Sequence, residues 1–467
     1  MSSAIRRSAL VILLAFLGLS AGLVYWQVLR SQSIDNASSN PRAAEASLTE
    51  QRGSIYDAGG NLLARSAEGP DGRFQRQYKD PTLAQTIGYV STRYGLDGLE
   101  AAYNGYLSGQ QGSDPLTAIW ADISRQPSRG NDLVLTVNPA LQKTAAQALG
   151  ARAGAVVALD PKTGAVLAMV SAPTYDPNQI DDLGASLLQS ANKPLLNRAT
   201  HGLYPPGSTY KTVTASAALD SGIVKPADVY QCSGDGILVR GFRIACTNAP
   251  PGETEWDFLR AYAYSINATF AQVAVQIGPG RFTDYSHRFG IGEPLAFDTD
   301  VSRSLVEQPG STLDDVLLAS SGFGQGQLAV TPLQMALVAA TIANGGLEPS
   351  PYLVSQIRDP AGQVISERQP EARDQVMRAE TARTMGQFMV AAVGEFGQAA
   401  GLAGMDVAGK TGTAETGTSA PPHSWFIGYA PAATPKIAVA IIVENGGAGS
   451  QTAGPIAAQL FKAALAK

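Results

Sequence analysis

Ser208 and Lys211 are the two residues in this sequence best spaced to do chemistry together. They lie in Tyr204-Pro205-Pro206-Gly207-Ser208-Thr209-Tyr210-Lys211, which runs into a small-residue stretch ending Asp220-Ser221-Gly222. The Pro-Pro-Gly cluster is a loop that cannot continue a helix, and Ser208 after it reads as a helix start. Val213, Ala217 and Ala218 recur at helical spacing, and Gly222 suits a helix stop. Three residues apart on one helix, Ser208 and Lys211 share a face. Ser208 then sits at the positive end of the helix dipole, where developing negative charge is favoured. A serine hydroxyl is a weak nucleophile until a base takes its proton. A lysine is such a base if burial or a nearby cation lowers its pKa. A second Ser-x-x-Lys, Ser190-Ala191-Asn192-Lys193, lacks the loop-to-helix switch and is followed at once by Pro194, so it reads as surface loop.

The elements that must position this pair come from both ends of the chain. Asp132 to Val137 reads as an apolar strand, and Asn138-Pro139 caps a helix over Ala140 to Leu149. Ala155 to Leu159 and Ala165 to Ser171 read as strands joined by the turn Asp160-Pro161-Lys162-Thr163-Gly164. From about 180 to 400 the pattern is mostly helical. Strands return at Asp406 to Glu415, Ser424 to Tyr429 and Lys436 to Val443. The last is apolar on both faces, Ile437, Val439, Ile441 and Val443 against Ala438, Ala440 and Ile442, and so should be a covered, central strand. A closing helix is expected from about Pro455 to Leu465. The outline is an α/β domain whose sheet is built from its two ends, with a helical block between.

The chain has 467 residues, enough for two or three domains, with 45% hydrophobic and 16% charged residues. Its net charge of −5 comes with no basic run, which excludes an electrostatic footprint for nucleic acid. The three histidines are scattered and form no Cys/His cluster, so neither a metal nor another cofactor is expected. Ser8 to Val28 carries no charge and as a helix would span roughly 31 Å, enough to cross a bilayer. Arg6 and Arg7 before it place the N-terminus in the cytoplasm. A cleaved signal peptide is the alternative, but the apolar run is longer than its usual core. Tyr25 and Trp26 suit the outer interface. The expected division is a short tail over 1–7, a membrane anchor over 8–29, a linker and pedestal over 30–137, and a catalytic domain over 138–467. The pedestal shows strand, Gly-rich turn and strand from Arg52 to Ala64 and a short helix from Gly95 to Gly109, with no titratable constellation. Cys232 and Cys246 lie in the exported part, and a bridge between them would contribute about 3 kcal/mol in the chain-entropy picture.

Two further motifs follow Ser208-x-x-Lys211: Ser265-Ile266-Asn267 in a helical context, then Lys410-Thr411-Gly412-Thr413 on a strand. An earlier Lys-Thr-Gly, Lys162-Thr163-Gly164, sits in a turn, and Ser190-Ala191-Asn192 and Ser38-Ser39-Asn40 are spare Ser-x-Asn matches. Only Ser208, Ser265 and Lys410 satisfy order, context and flanking sequence together. With these motifs the chain resembles a class B penicillin-binding protein, a membrane-anchored D,D-transpeptidase, of the penicillin-binding protein A type. Arg52-Gly53-Ser54-Ile55-Tyr56-Asp57 resembles the family's pedestal motif, although Ala58 stands where a basic residue is common. Gly98-Leu99-Glu100, Gly154-Ala155-Val156-Val157, Gly324-Gln325-Gly326, Thr331-Pro332-Leu333-Gln334 and Trp425-Phe426-Ile427-Gly428-Tyr429 are similar to other family segments.

The resemblance implies a penicillin-binding, serine β-lactamase-like fold: a mostly antiparallel five-stranded sheet covered by helices. It implies that Ser208 attacks a D-Ala-D-Ala carbonyl and that Lys211 takes its proton, kept neutral with the help of Lys410. Ser265 relays a proton to the leaving amine, and Asn267 holds Lys211 and a substrate amide. Lys410, Thr411 and Thr413 recognise the terminal carboxylate. The oxyanion hole is formed by the backbone N–H groups of Ser208 and Thr413, and Gly412 lets the strand approach substrate. It implies peptidoglycan stem peptides as substrate, β-lactams as acylating inhibitors, and a polytopic glycan-polymerising membrane partner. A carboxypeptidase would use the same motifs. A β-lactamase would need a deacylating glutamate, and none is assignable. A β-lactam sensor would need an output domain, and a catalytically idle scaffold sits poorly with an intact motif set. His423, Trp256 and Tyr264 read chiefly as structural, and Arg358 and Asp359 as solvated turn residues.

Overall fold

The computed structural model describes residues 3–25, 45, 48–112, 129–234, 236–308 and 310–466. Most of the expected linker, Trp26 and the Ser38-Ser39-Asn40 match lie outside them. Ser3–Val24 is one helix, with 19 residues from Ile5 to Leu23 long and apolar enough to cross a membrane. It starts five residues before the uncharged run, because arginine is a good helix former and only the hydrocarbon excludes it.

The catalytic sheet has five antiparallel strands in the order Ala408–Ala414, His423–Ala430, Ile437–Val443, Gly154–Leu159 and Val166–Ala172. The two ends of the domain meet where Ile441 pairs with Val156. Ile437–Val443 is buried along its whole length, as its two apolar faces require. Val439 and Ile441 pack with Leu460 and Phe461 of the closing helix Ala453–Leu465 and with Leu141 of the helix Pro139–Leu149. Ala440 and Ile442 face the opposite core, with Leu337 of the apolar helix Pro332–Ala343. A sheet sealed on both sides is a rigid support for a site built along its edge strand, Ala408–Ala414.

The region between is less purely helical than the pattern predicts. Val229–Gln231 pairs with Glu255–Asp257, Ile237–Val239 with Phe242–Ile244, and Leu347–Pro349 with Ala372–Gln375. Such short strands carry too few residues for a period of two to emerge. Val354–Arg358 and Val364–Glu367 join a second sheet of order Val364–Glu367, Val354–Arg358, Asp132–Leu135, Ile55–Tyr56, Leu62–Glu68 and Phe74–Tyr78. Arg358 therefore ends a strand, opposite Asp132, while Asp359 makes the turn by accepting the Ala361 and Gln363 N–H groups. The segment Gly95 to Gly109 is not one helix but two short ones, Gly98–Ala102 and Asn104–Leu107.

A buried charge cluster, where the sequence reading expects no titratable constellation, ties Arg52, and Arg76 of the strand Phe74–Tyr78, to Glu100 of the helix Gly98–Ala102. Glu100 is fully buried, with Arg52 at 2.8 Å and Arg76 at 2.6 Å. Burial alone would raise its carboxyl pKa, but the Arg76 and Arg52 guanidinium groups outweigh that and hold it below the usual range.

Candidate active site

The nucleophile turn is shaped by what precedes it. Gly207–Tyr210 is a 3₁₀ turn running directly into the α-helix Lys211–Asp220, so Ser208 stands one turn before the α-helix proper. Gly207 has φ +53, and a Cβ there would lie 2.8 Å from the Thr413 carbonyl oxygen. Its N–H donates to the Gly324 carbonyl at 2.9 Å. A Cβ on Gly324 would in turn fall 1.8 Å from the Gly207 oxygen. The helix is buried from Lys211 through Leu219, so its residues are small or hydroxylated, and Thr212, Thr214 and Ser216 each find a hydrogen-bond partner.

Ser265 and Asn267 sit at a break between two helices, Phe258–Tyr264 and Asn267–Arg288. Ser265 is left-handed, with φ 66 and ψ 43, a conformation that costs a non-glycine residue about 1–3 kcal/mol. Its N–H donates to Tyr262 O, and Ile266 N–H donates to Ala261 O, which fixes the break.

Lys211 Nζ is buried at the junction of these elements. It lies 2.7 Å from the Ser265 carbonyl oxygen, 2.7 Å from Asn267 Oδ1, and 3.0 Å from each of Ser208 Oγ and Ser265 Oγ. Two of those neighbours are carbonyl oxygens, which only accept. They take the two N–H bonds of a neutral amine and leave its lone pair for a hydroxyl proton. Burial pushes the Lys211 pKa well below the ordinary lysine range, and the Lys410 cation lowers it further. Lys410 is itself buried, its Nζ donating to Thr411 O at 3.1 Å, and desolvation brings its pKa down to about 7. Lys410 lies over the Tyr262 ring at 5.8 Å, while Lys211 lies over Phe270 at 5.5 Å.

A cleft of about 710 Å³ opens beside the serine, lined by Ser208, Ser265, Asn267, Lys410, Thr411 and Thr413 among others. The structure thus brings together every motif residue singled out from sequence except the side of Gly412. A Cβ on Gly412 would meet Pro206 O and Thr209 Cγ2, both at 3.0 Å. The close approach it permits in the folded chain is to the turn that carries Ser208. The decoys stay apart: Lys162 and Thr163 cap a turn through Asp160, and Ser190 follows the helix Ile180–Gln189 in a turn.

Several supports were not legible beforehand. Glu444 accepts from Tyr204 Oη and from Arg198 Nε, both at 2.7 Å, and Trp425 Nε1 donates to Pro205 O at 3.0 Å. These bonds anchor the loop entering the nucleophile turn. Ser424 Oγ accepts the Ala453 N–H and donates to Ala448 O, holding the loop 448–453 against the cleft. His423 begins a strand, where its Nδ1 accepts the Asn445 N–H, a structural role. Trp256 is core, donating to Thr269 Oγ1, whereas Tyr264 lines the cleft. The Cys232–Cys246 disulfide is formed, with Cα atoms 6.0 Å apart.

Fold and site together define a serine acyltransferase of the Ser-Lys kind. Residues 154–466 match the family described as "Penicillin binding protein transpeptidase domain", and residues 52–133 match "Penicillin binding protein A dimerisation domain". The chain is 36% identical to the peptidoglycan D,D-transpeptidase PbpA of Mycolicibacterium smegmatis, over 100% of this chain and 99% of the relative. Among solved structures it resembles the ceftriaxone acyl-enzyme complex of penicillin-binding protein A from M. tuberculosis. That match has a TM-score of 0.83 at 33% identity, covering 91% of this chain and 100% of the other. The penicillin G acyl-enzyme complex of the same protein matches with a TM-score of 0.81 at 34% identity, covering 89% and 100%. The chain belongs to the penicillin-binding protein transpeptidase family.

Proposed function

We propose that this chain is a membrane-anchored peptidoglycan D,D-transpeptidase that cross-links stem peptides through a Ser208 acyl-enzyme. The observation that carries the reading is Lys211 Nζ, with two carbonyl acceptors and two serine hydroxyls around it. The neutral amine takes the Ser208 proton as Oγ attacks the carbonyl of a D-Ala-D-Ala bond. Base assistance of this kind is worth about 10²–10⁴ in rate. Ser265, in contact with the same amine, passes a proton to the departing D-alanine nitrogen. Asn267 keeps Lys211 aimed. Lys410, Thr411 and Thr413 receive the terminal carboxylate of the donor peptide. The backbone N–H groups of Ser208 and Thr413 stabilise the oxyanion. Their elements are in close contact, since Gly207 abuts the Thr413 carbonyl, and one such donor is worth about 2.7–4 kcal/mol. An amine of a second stem peptide then attacks the ester and releases Ser208. A β-lactam acylates the same serine.

The apolar helix Ser3–Val24, with Arg6 and Arg7 in its first turns, supports a cytoplasmic N-terminus with the catalytic part outside the membrane. The division at about residue 137 stands as our reading of the chain, with Val354–Arg358 and Val364–Glu367 contributed to the pedestal sheet from the catalytic side. A polytopic glycan-polymerising protein is the partner this arrangement would serve, meeting the anchor and pedestal.

The test is the intact mass of the detergent-solubilised full chain after incubation with benzylpenicillin, beside Ser208→Ala. One drug mass added to the native chain and none to the variant is expected. An adduct that persists in Ser208→Ala would refute the assignment. With a stem-peptide thioester and an amino acceptor, the amide product supports transpeptidation, whereas hydrolysis alone would make the chain a carboxypeptidase.

A further inference from the structure

We infer that Asn248 is a positioning residue for acylation, held in place by the Cys232–Cys246 disulfide. The inference rests on the Ser208, Lys211 and Ser265 roles proposed above. Asn248 is exposed on the wall of the cleft, yet its Nδ2 donates to the Ser265 carbonyl oxygen at 3.2 Å. That oxygen is also the acceptor for Lys211 Nζ at 2.7 Å. A carbonyl oxygen has two lone pairs, and these two donors occupy both.

The contact acts on the residue of the site whose backbone is most strained. Ser265 at φ 66 persists only because its surroundings hold it. The preceding helix holds its N–H through Tyr262 O, and Asn248 holds its carbonyl. Asn248 is itself left-handed, at φ 67, which asparagine tolerates better than most residues.

The loop bearing Asn248 is tied back to the same element. Cys246, two residues earlier, is bridged to Cys232, whose N–H donates to Thr254 O at 2.9 Å. The strand before Cys232, Val229–Gln231, pairs with Glu255–Asp257, which leads into Phe258–Tyr264 and so to Ser265. The path closes on itself: disulfide, strand pair, helix, Ser265, Asn248. Without the Asn248 donor, the Ser265–Ile266 peptide is held by the Ile266 N–H bond to Ala261 O and by Lys211 alone, and its carbonyl swings from Lys211 more easily. One amine N–H then loses its acceptor and competes for Ser208 Oγ, where the lone pair should point.

The experiment measures the second-order acylation rate of the full chain by benzylpenicillin across pH. The proteins are the native chain, Asn248→Ala, Asn248→Asp, Cys232→Ser/Cys246→Ser, and Asn248→Ala added to that pair, with melting temperature as the check on folding. Asn248→Ala is expected to slow acylation by about tenfold, the loss of roughly one hydrogen bond. Asn248→Asp keeps the shape but removes the donor, so it slows acylation too. Its carboxylate favours the Lys211 ammonium, so its rate rises at higher pH than the native one. The cysteine pair slows acylation by a similar factor, with no further loss when Asn248→Ala is added. Native rates and pH profiles in both Asn248 variants would overturn the proposal even if the cysteine variant fails to fold. Multiplying effects of the loop and disulfide changes would overturn the link between them. If the native chain itself takes no drug, the Ser208 reading falls, and this inference with it.

Discussion

Replacing Asn267 by leucine tests how the lysine is kept ready. Asn267 Oδ1 accepts a hydrogen bond from Lys211 Nζ at 2.7 Å, one of two carbonyl acceptors around that amine. Leucine keeps much of the volume and excludes water, but it accepts nothing. The amine then has two N–H bonds and one fixed acceptor, so its second N–H turns toward a serine hydroxyl. Leaving one buried polar group unpaired costs about 1–3 kcal/mol. If that cost falls on the aligned state of the lone pair, acylation slows by about 5- to 150-fold. The pH profile carries a second, independent sign. An acceptor favours the ammonium over the amine, so its loss lowers the lysine pKa further. The rate should therefore reach its plateau at lower pH than in the native chain, while the plateau itself falls. Stopped-flow acylation by a chromogenic β-lactam across pH gives both quantities. A native plateau rate in a folded Asn267→Leu chain would refute the reasoning, as would a shift of the profile to higher pH.

Lys410→Met removes the cation that helps depress Lys211, so its acylation profile should move to higher pH, opposite in direction to Asn267→Leu. Lys410 has its pKa lowered to about 7 in the folded chain, so the native protein gains stability from this group as pH rises from about 7 toward the unfolded lysine value. Lys410→Met should accordingly melt higher below pH 7, at roughly 1–1.5 °C per kcal/mol for a chain of this size, with the gap closing in alkaline solution. Gly324→Ala places a Cβ 1.8 Å from the Gly207 oxygen, so the nucleophile turn must shift. At least a tenfold loss of acylation is expected, and a native rate would show that the turn tolerates the shift. Glu100→Leu leaves Arg52 and Arg76 buried without their shared partner and should destabilise the chain by about 3–5 kcal/mol in denaturant titration. Because Glu100 has a depressed pKa, its contribution is present above the unfolded carboxyl value and is lost as pH falls through the folded one. The acid sensitivity of Glu100→Leu should therefore be weaker than that of the native chain.

The grouping of the candidate site residues was legible in the sequence because they are few, polar and carried by local signals. Pro205-Pro206-Gly207 announces the turn that presents Ser208, and the apolar alternation from Ile437 to Val443 announces the strand at the centre of the sheet. What stayed hidden depends on residues far apart in the chain. Arg198, Tyr204 and Glu444 are ordinary surface-looking residues until the sheet brings them together. Glu100 meets Arg52 and Arg76 only when its short helix packs against the N-terminal strands and the segment leading into them. Val354–Arg358 leaves the helical block to join Asp132–Leu135, a pairing across more than 200 residues that no local pattern encodes. The missing Cβ of Gly412 says that something comes close without saying what, and the Ser208 turn is a neighbour that only the fold reveals. Asn248 carries no motif, and its place beside the Ser265 carbonyl emerges only from the folded loop.

The central claim is that Lys211 is an uncharged amine when it meets Ser208. The most direct test is an NMR titration of the full chain with ¹³C-labelled lysine side chains, with the Lys211 signal assigned by its absence in Lys211→Arg. This signal should titrate well below the ordinary lysine range, and move toward that range in Lys410→Met. A Lys211 that stays protonated up to the ordinary lysine value would rule out the neutral-amine base, whatever the drug does at Ser208.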